Sequence, residues 1–372
     1  MSWVFGIICL IFLIIFHELG HFIAAKICGV KVESFSVGFG PVLLHKTIKG
    51  TDYRLSLIPL GGYCGMKGEK DFQKALEQNL PIIEAEKDSL YGVHPLKRAF
   101  IAFSGPLFNF FLCIIAFTII NISGYTYETY SNKIIIPDAD DKNVTSTAAR
   151  DAGLKTDDII LEVNGNKTDD FSSIVSEVAS RPDEDITLKV NRNGEILTFV
   201  LHTLLDKQRG TGSIGIMANQ KDTIKAEAPR YRFFPAIYHG IADSCKSFSL
   251  TLKGFSLIFK GINLKDNISG PIRTTQIIGL SVTEGFKEGI RNGFAALLSI
   301  IGIINISLFV MNLLPIPVLD GGLILLAIIE FVIRRKINTK VQLYIQYAGL
   351  AVIILIAVFG IGNDLRFLFT RH

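Results

Sequence analysis

His17-Glu18-Leu19-Gly20-His21 interrupts a run that is otherwise apolar, uncharged from Ser2 to Phe16 and apolar again from Phe22 to Ala25. The stretch is long enough to cross roughly 30 Å of hydrocarbon as one helix, which takes about 20 residues. Ionisable side chains inside such a span are costly and by default functional. At about 100° per residue, histidines four apart share one helix face, so both rings can reach a single ion. Glu18 lies beside them, where a carboxylate can polarise a metal-bound water without being a ligand. The alternative is a span that ends at Phe16 and leaves the polar groups solvated at the interface; the apolar residues from Phe22 onward disfavour it. A secretory signal peptide would carry a basic n-region and an A-x-A-like cleavage site, which this stretch lacks.

Three further stretches have the same character: Ala99 to Ile122, Gly293 to Leu319 with a continuation to Ile329 beyond Asp320, and Val341 to Asn363. The expected fold is a polytopic α-helical membrane protein with about four transmembrane helices. Of 372 residues, 49% are hydrophobic and 19% charged, and the mean hydropathy is +0.40, against about 25% charge in an average soluble domain. That charge is unevenly spread, because Glu128 to Arg232 alone holds 14 of the 38 Lys/Arg and 18 of the 34 Asp/Glu. An ordinary soluble segment is therefore inserted into an apolar core. One soluble domain, a disordered chain and a collagen are all excluded, and five cysteines without a C-x-x-C pair exclude a disulfide scaffold and disfavour a cysteine zinc site. No nucleic-acid partner is expected.

Basic residues on short flanks are retained in the cytoplasm. Lys26 and Lys31 follow the first span, Lys97 and Arg98 precede the second, and Arg334, Arg335, Lys336 and Lys340 link the third to the fourth. The N-terminus, the charged insert and the C-terminus are then extracytoplasmic.

A catalytic zinc needs a third protein ligand and an open position for water. Between Glu288 and Glu330 the only acidic residue is Asp320, in Asn312-Leu313-Leu314-Pro315-Ile316-Pro317-Val318-Leu319-Asp320-Gly321-Gly322. Two prolines and two glycines break the helix there, and such a break at membrane depth is tolerated only where protein buries it or it lines a wet cavity. Asp320 as an interfacial charge at a helix end is the competing reading.

Together with Gly105-Pro106-Leu107-Phe108-Asn109-Phe110 in the second span, these motifs resemble the site-2 protease family of intramembrane zinc metalloproteases, specifically its bacterial RseP-like branch. The resemblance spans nearly the whole chain. It implies Zn2+ held by His17, His21 and Asp320, Glu18 as general base, and Asn312 as a polar group near the substrate. Leu323 departs from the G-G-H that often follows in the RseP-like branch, which leaves the ligand set untouched. The resemblance also implies the bacterial cytoplasmic (inner) membrane, an active site towards the cytoplasmic side, and single-pass membrane protein substrates, either of the anti-sigma factor type or signal-peptide remnants. The cut would be the second in regulated intramembrane proteolysis.

Hydrolysing a transmembrane helix requires unwinding it and holding the freed strand. Phe35 to His45 and Tyr53 to Leu57 are β-prone about a turn at Lys49-Gly50, and the resemblance identifies this region, 33–66, with a membrane-associated β-hairpin or sheet whose edge can take a substrate strand. An ordinary cytoplasmic hairpin is the alternative. Asn109 can hydrogen-bond the first-span helix or a substrate backbone, or serve interhelical packing beside Gly105, the reading favoured here. Ala148 to Gly165, with its Asn164-Gly165 turn, resembles the start of one PDZ domain (α+β), which Phe171 to Ala179, Ile186 to Val190 and Ile196 to Leu201 continue as helix and strands. Its groove binds peptide or acts as a spacer. Pro235 to Phe259 reads as an amphipathic helix on the membrane surface, and Ile268-Ser269-Gly270-Pro271-Ile272 resembles a family G-P-I element.

The expected organisation is a first membrane part at 1–127, the PDZ-like domain at 128–210, a linker with a surface helix at 211–292, and a second membrane part at 293–372. Two other functions compete with proteolysis. A metal carrier would show inverted repeats, which are absent here, and a membrane-anchored scaffold would bind no zinc.

Overall fold

The structure, a computed structural model, describes residues 2–138, 146–207, 209–258 and 271–370. The chain folds into two compact units: Met1–Ser123 with Tyr231–Thr251 and Ser269–His372, and Gly124–Arg230 with Leu252–Ile268.

The first unit opens with α1 (Ser2–Cys28), then β1 (Val32–Ile48), β2 (Thr51–Met66), α2 (Glu69–Glu77) and α3 (Pro95–Ser123). Gly20 of α1 lies so close to α3 that a Cβ there would meet the Ser104 carbonyl oxygen at 2.3 Å. The two backbones touch, as small residues permit between membrane helices. The expected β region is present but is more than a hairpin. Val32–Val37 pairs antiparallel with Met66–Gly62, while Ser34–Val37 also pairs with Asp52–Leu55. Past Gly38 and Gly40, which take positive φ, Val42–Ile48 folds back on Ser56–Thr51 across the Lys49-Gly50 turn. Gly62–Met66 is thereby an outer leg of the sheet, and Val42, Leu43, Leu44, Leu57 and Ile58 at its far end are exposed.

The second unit runs β3 (Thr126–Tyr130), β4 (Ile134–Ile135), α4 (Ala148–Asp151), β5 (Ile159–Val163), β6 (Asn166–Lys167), α5 (Phe171–Ala179), β7 (Asp185–Arg192), β8 (Glu195–His202), β9 (Leu204–Asp206), β10 (Thr211–Ser213), β11 (Met217–Ala218) and β12 (Thr223–Glu227). Its main sheet has the order β6-β5-β7-β8. Asn164-Gly165 and Asn193-Gly194 make the tight turns, all four residues at positive φ, as Asn-Gly hairpins require. Alternate strand residues point inward, so Ile160, Ile174, Ile186, Leu188 and Val190 form a sealed apolar core. Asp170 caps α5 by accepting from the Ser173 N–H at 2.7 Å.

The chain continues through α6 (Phe233–Ile258), α7 (Pro271–Lys287), α8 (Ile290–Asn312), α9 (Asp320–Ile333) and α10 (Thr339–Thr370). Helices α1, α8 and α9 all pack on α3. Among the described residues, four helices are long and apolar enough to span a membrane, over Cys9–Cys28, Pro95–Ser123, Ile290–Asn312 and Thr339–Arg366. The part of α6 that belongs to the first unit, within the Pro235 to Phe259 stretch expected as a surface helix, packs along α3. Cys113 Sγ donates to Ser244 Oγ at 3.4 Å, a Cβ on Gly240 would meet Thr118 Oγ1 at 2.3 Å, and Phe248 meets Phe309 of α8. Small residues on one face of α6 allow that approach. In the G-P-I element, Ile268, Ser269 and Gly270 lie outside the described residues.

Candidate metal centre

Two helical turns of α1 place His17 and His21 on the face turned towards α9, where Asp320 opens that helix. His17 Nε2 lies 3.3 Å from Asp320 Oδ2, His21 Nε2 lies 3.4 Å from Asp320 Oδ1, and the two Nε2 atoms are 3.2 Å apart. A tetrahedral zinc with bonds of roughly 2.0–2.1 Å needs donor atoms about 3.3 Å from one another. Donor chemistry agrees with that spacing. His21 Nδ1 pairs at 2.8 Å with the Ile101 carbonyl, which can only accept, so the ring proton sits on Nδ1 and Nε2 presents its lone pair to the centre. A nitrogen lone pair directed at a carboxylate, with a second imidazole nitrogen beside it, suits a cation. The residues present therefore fit a zinc ion with two nitrogen ligands and one oxygen ligand.

The surroundings explain why those side chains converge. Pro106 inside α3 has no N–H to give the Ala102 carbonyl, which loosens the helix ladder beside Ile101. Gly105 faces His21, and a Cβ there would lie 2.2 Å from His21 Nε2. Asn109, fully buried one turn further along α3, brings Nδ2 to 3.1 Å from His17 Nδ1. The pairs Gly105/Asn109 and His21/His17 thus match in spacing along two touching helices. On the opposite side, the segment between α8 and α9 folds back over the first turn of α9. A Cβ on Gly321 would meet the Leu314 carbonyl oxygen at 2.2 Å, and one on Gly322 would meet that of Ile316 at 2.5 Å. Val318, two residues before Asp320, takes φ 86, a strained conformation for a β-branched residue.

A cavity of about 460 Å³ is lined by His17, Glu18, His21 and Asp320 and also by Asn312 and Leu323. All five site residues expected from the sequence therefore meet in one chamber. Tyr63, Cys64 and Met66 of the outer sheet leg line it too, and a Cβ on Gly62 would lie 3.5 Å from Glu18 Cγ. Arg54 donates to Tyr63 Oη at 3.1 Å and to Asp52 at 2.7 Å. Hydrogen bonds from Arg54 and then His45 hold the Asp52 carboxyl below its ordinary range. At the far wall, Arg98 of α3 pairs with Glu330 of α9, and Glu330 also accepts from the Ile337 N–H and Gln342. Sequence reasoning misses this network; its signal is a lone Glu closing an apolar helix, while Arg98 reads only as one of the orienting charges.

Residues 5–356 match peptidase family M50. A candidate zinc metalloprotease of Treponema pallidum (strain Nichols) is 33% identical, with 98% of this chain and 99% of that protein covered. The alignment takes 446 positions against 372 residues here, so that relative has segments with no counterpart in this chain. Similar candidate metalloproteases occur in Campylobacter jejuni, 34% identical over 95% of this chain and 90% of the relative, and in Helicobacter pylori (strain ATCC 700392 / 26695), 30% identical over 98% and 99%.

Proposed function

The chain belongs to peptidase family M50 and is a zinc metalloprotease and integral membrane protein, and from that premise we propose that it is an intramembrane endopeptidase with a centre formed by His17, His21 and Asp320. The observation that carries this reading is the mutual approach of those three side chains at 3.2–3.4 Å, two of them on a helix long and apolar enough to cross a membrane. Zinc, when bound, supplies Lewis acidity to the scissile carbonyl. Glu18 takes a proton from the attacking water as the new C–O bond forms, then delivers it to the departing amide nitrogen as the C–N bond breaks. Asn312 lines the same chamber and offers a carboxamide to a backbone freed from its helix.

Substrates on this reading are single-pass membrane proteins. An unwound segment adds as a strand to the outer leg Gly62–Met66, which passes Glu18. The exposed apolar far end of the sheet dips into the bilayer. The second unit is a single PDZ-like domain, supported by its strands flanking α5 and by its Asn-Gly turns. Basic flanks favour an extracytoplasmic N-terminus, second unit and C-terminus in a bacterial cytoplasmic membrane. The role is then the second cut of regulated intramembrane proteolysis, on anti-sigma factor type proteins or signal-peptide remnants.

The direct test is Glu18→Gln with a membrane-spanning reporter. Cleavage should disappear while zinc content and protein level hold; cleavage at the original rate would contradict Glu18 as the base.

A further inference from the structure

His17 carries one ring proton in its neutral form, and where that proton sits decides whether the imidazole can bind a metal. Its Nε2 is the atom that faces Asp320 and His21, at 3.3 and 3.2 Å. A metal at that point needs the lone pair on Nε2, so the proton belongs on Nδ1, and Nδ1–H needs an acceptor. For His21 the Ile101 carbonyl fills that role. For His17 the group in reach is the Asn109 carboxamide.

With its NH2 turned to the ring, Asn109 would donate to Nδ1 and force the proton onto Nε2 against the other metal donors. A half-turn of the carboxamide keeps its outline and puts Oδ1 on Nδ1–H. We infer that Asn109 is a positioning residue for the metal centre, accepting the His17 Nδ1 proton and so holding the tautomer whose Nε2 is free for zinc. Both imidazoles are then aimed from α3, His21 by a main-chain carbonyl and His17 by a side chain. This inference rests on the reading of His17 as a zinc ligand.

The test compares Asn109→Leu, which keeps the volume and loses the acceptor, with Asn109→Asp, which keeps an acceptor. Zinc affinity of the purified full chain is measured by competition with a chelator. Asn109→Leu should bind zinc about 10- to 100-fold more weakly, while Asn109→Asp binds at least as tightly as the wild type and the zinc-free proteins melt alike. If Asn109→Leu keeps wild-type affinity while His17→Ala loses it, the positioning role is wrong and the zinc site stands. Equal losses in Asn109→Leu and Asn109→Asp would also overturn the role, reducing it to packing. If His17→Ala keeps zinc, the site reading itself falls. Should the Leu variant not fold, nitrogen NMR of histidine-labelled wild-type protein with zinc bound decides: a proton on His17 Nδ1 is expected, and one on Nε2 overturns the inference.

Discussion

The two units of this chain place polarity in opposite positions. In the second, Ile160, Ile174, Leu188 and Val190 are sealed inside, and charged residues such as Lys155, Asp169 and Glu195 face outward. In the first, His21 and Asn109 are buried beside His17 and Asp320, while Leu350, Ile354, Leu355 and Val358 of α10 are exposed. Each arrangement matches its solvent: water rewards burial of apolar area, whereas hydrocarbon does not and penalises every polar group left without a partner. The first unit can therefore hold together by close helix contacts and satisfied polar groups, and its stability and its chemistry share the same residues. The second unit separates them.

Substitutions that act on only one side of this contrast can break it. The largest effect is expected from Gly105→Ala, because the added Cβ falls 2.2 Å from His21 Nε2. A shift of about 1 Å at a reacting centre can cost on the order of 100-fold, so reporter cleavage should drop at least that far while the second unit keeps its fold; unchanged cleavage would mean that α1 and α3 slide freely. In the second unit, Leu188→Ala should cost about 2–5 kcal/mol, as for other sealed leucines. Hydrogen exchange should locate that loss in β5, β7 and β8 and leave zinc binding intact, and zinc loss would show that the units are coupled.

A smaller effect follows from Asp158. Burial pushes its carboxyl up, but the fork of hydrogen bonds from Arg192, both at 2.7 Å, and the Lys155 N–H outweigh this and leave it below its ordinary value. A carboxyl depressed in the folded state stabilises above its unfolded value, near 3.9, and that stabilisation fades as pH falls through the folded value. Asp158→Asn should therefore weaken the second unit at neutral pH, with the difference from wild type shrinking in acid; a pH-independent difference would rule this out. The smallest effect is expected from Val318→Gly, which releases backbone strain worth roughly 1–3 kcal/mol. It should raise the melting temperature slightly; a lower one would show that the valine side chain contributes more than the strain costs.

Much of the first unit is legible in the sequence, because membrane spans announce themselves by uninterrupted apolar runs. Within them, His17, Glu18, His21 and Asp320 stand out as exceptions, and the structure gathers all four into one chamber with Asn312. What the sequence leaves hidden depends on which helix touches which. Asn109 reads as interhelical packing because nothing in its neighbourhood says that His17 lies opposite. The small residues Gly240 and Ser244, which seat α6 on α3, could equally belong to a helix on the membrane surface. The double pairing of Val32–Val37 is invisible in the sequence because alternation identifies strands and not their neighbours.

The most direct measurement is X-ray absorption at the zinc edge on the purified full chain, beside His17→Ala and Asp320→Asn. One zinc per chain with two imidazoles and oxygen donors, losing one imidazole in His17→Ala and zinc affinity in Asp320→Asn, is the predicted result. Sulfur in the coordination shell, or a spectrum that neither substitution changes, would place the metal elsewhere and contradict the proposed centre.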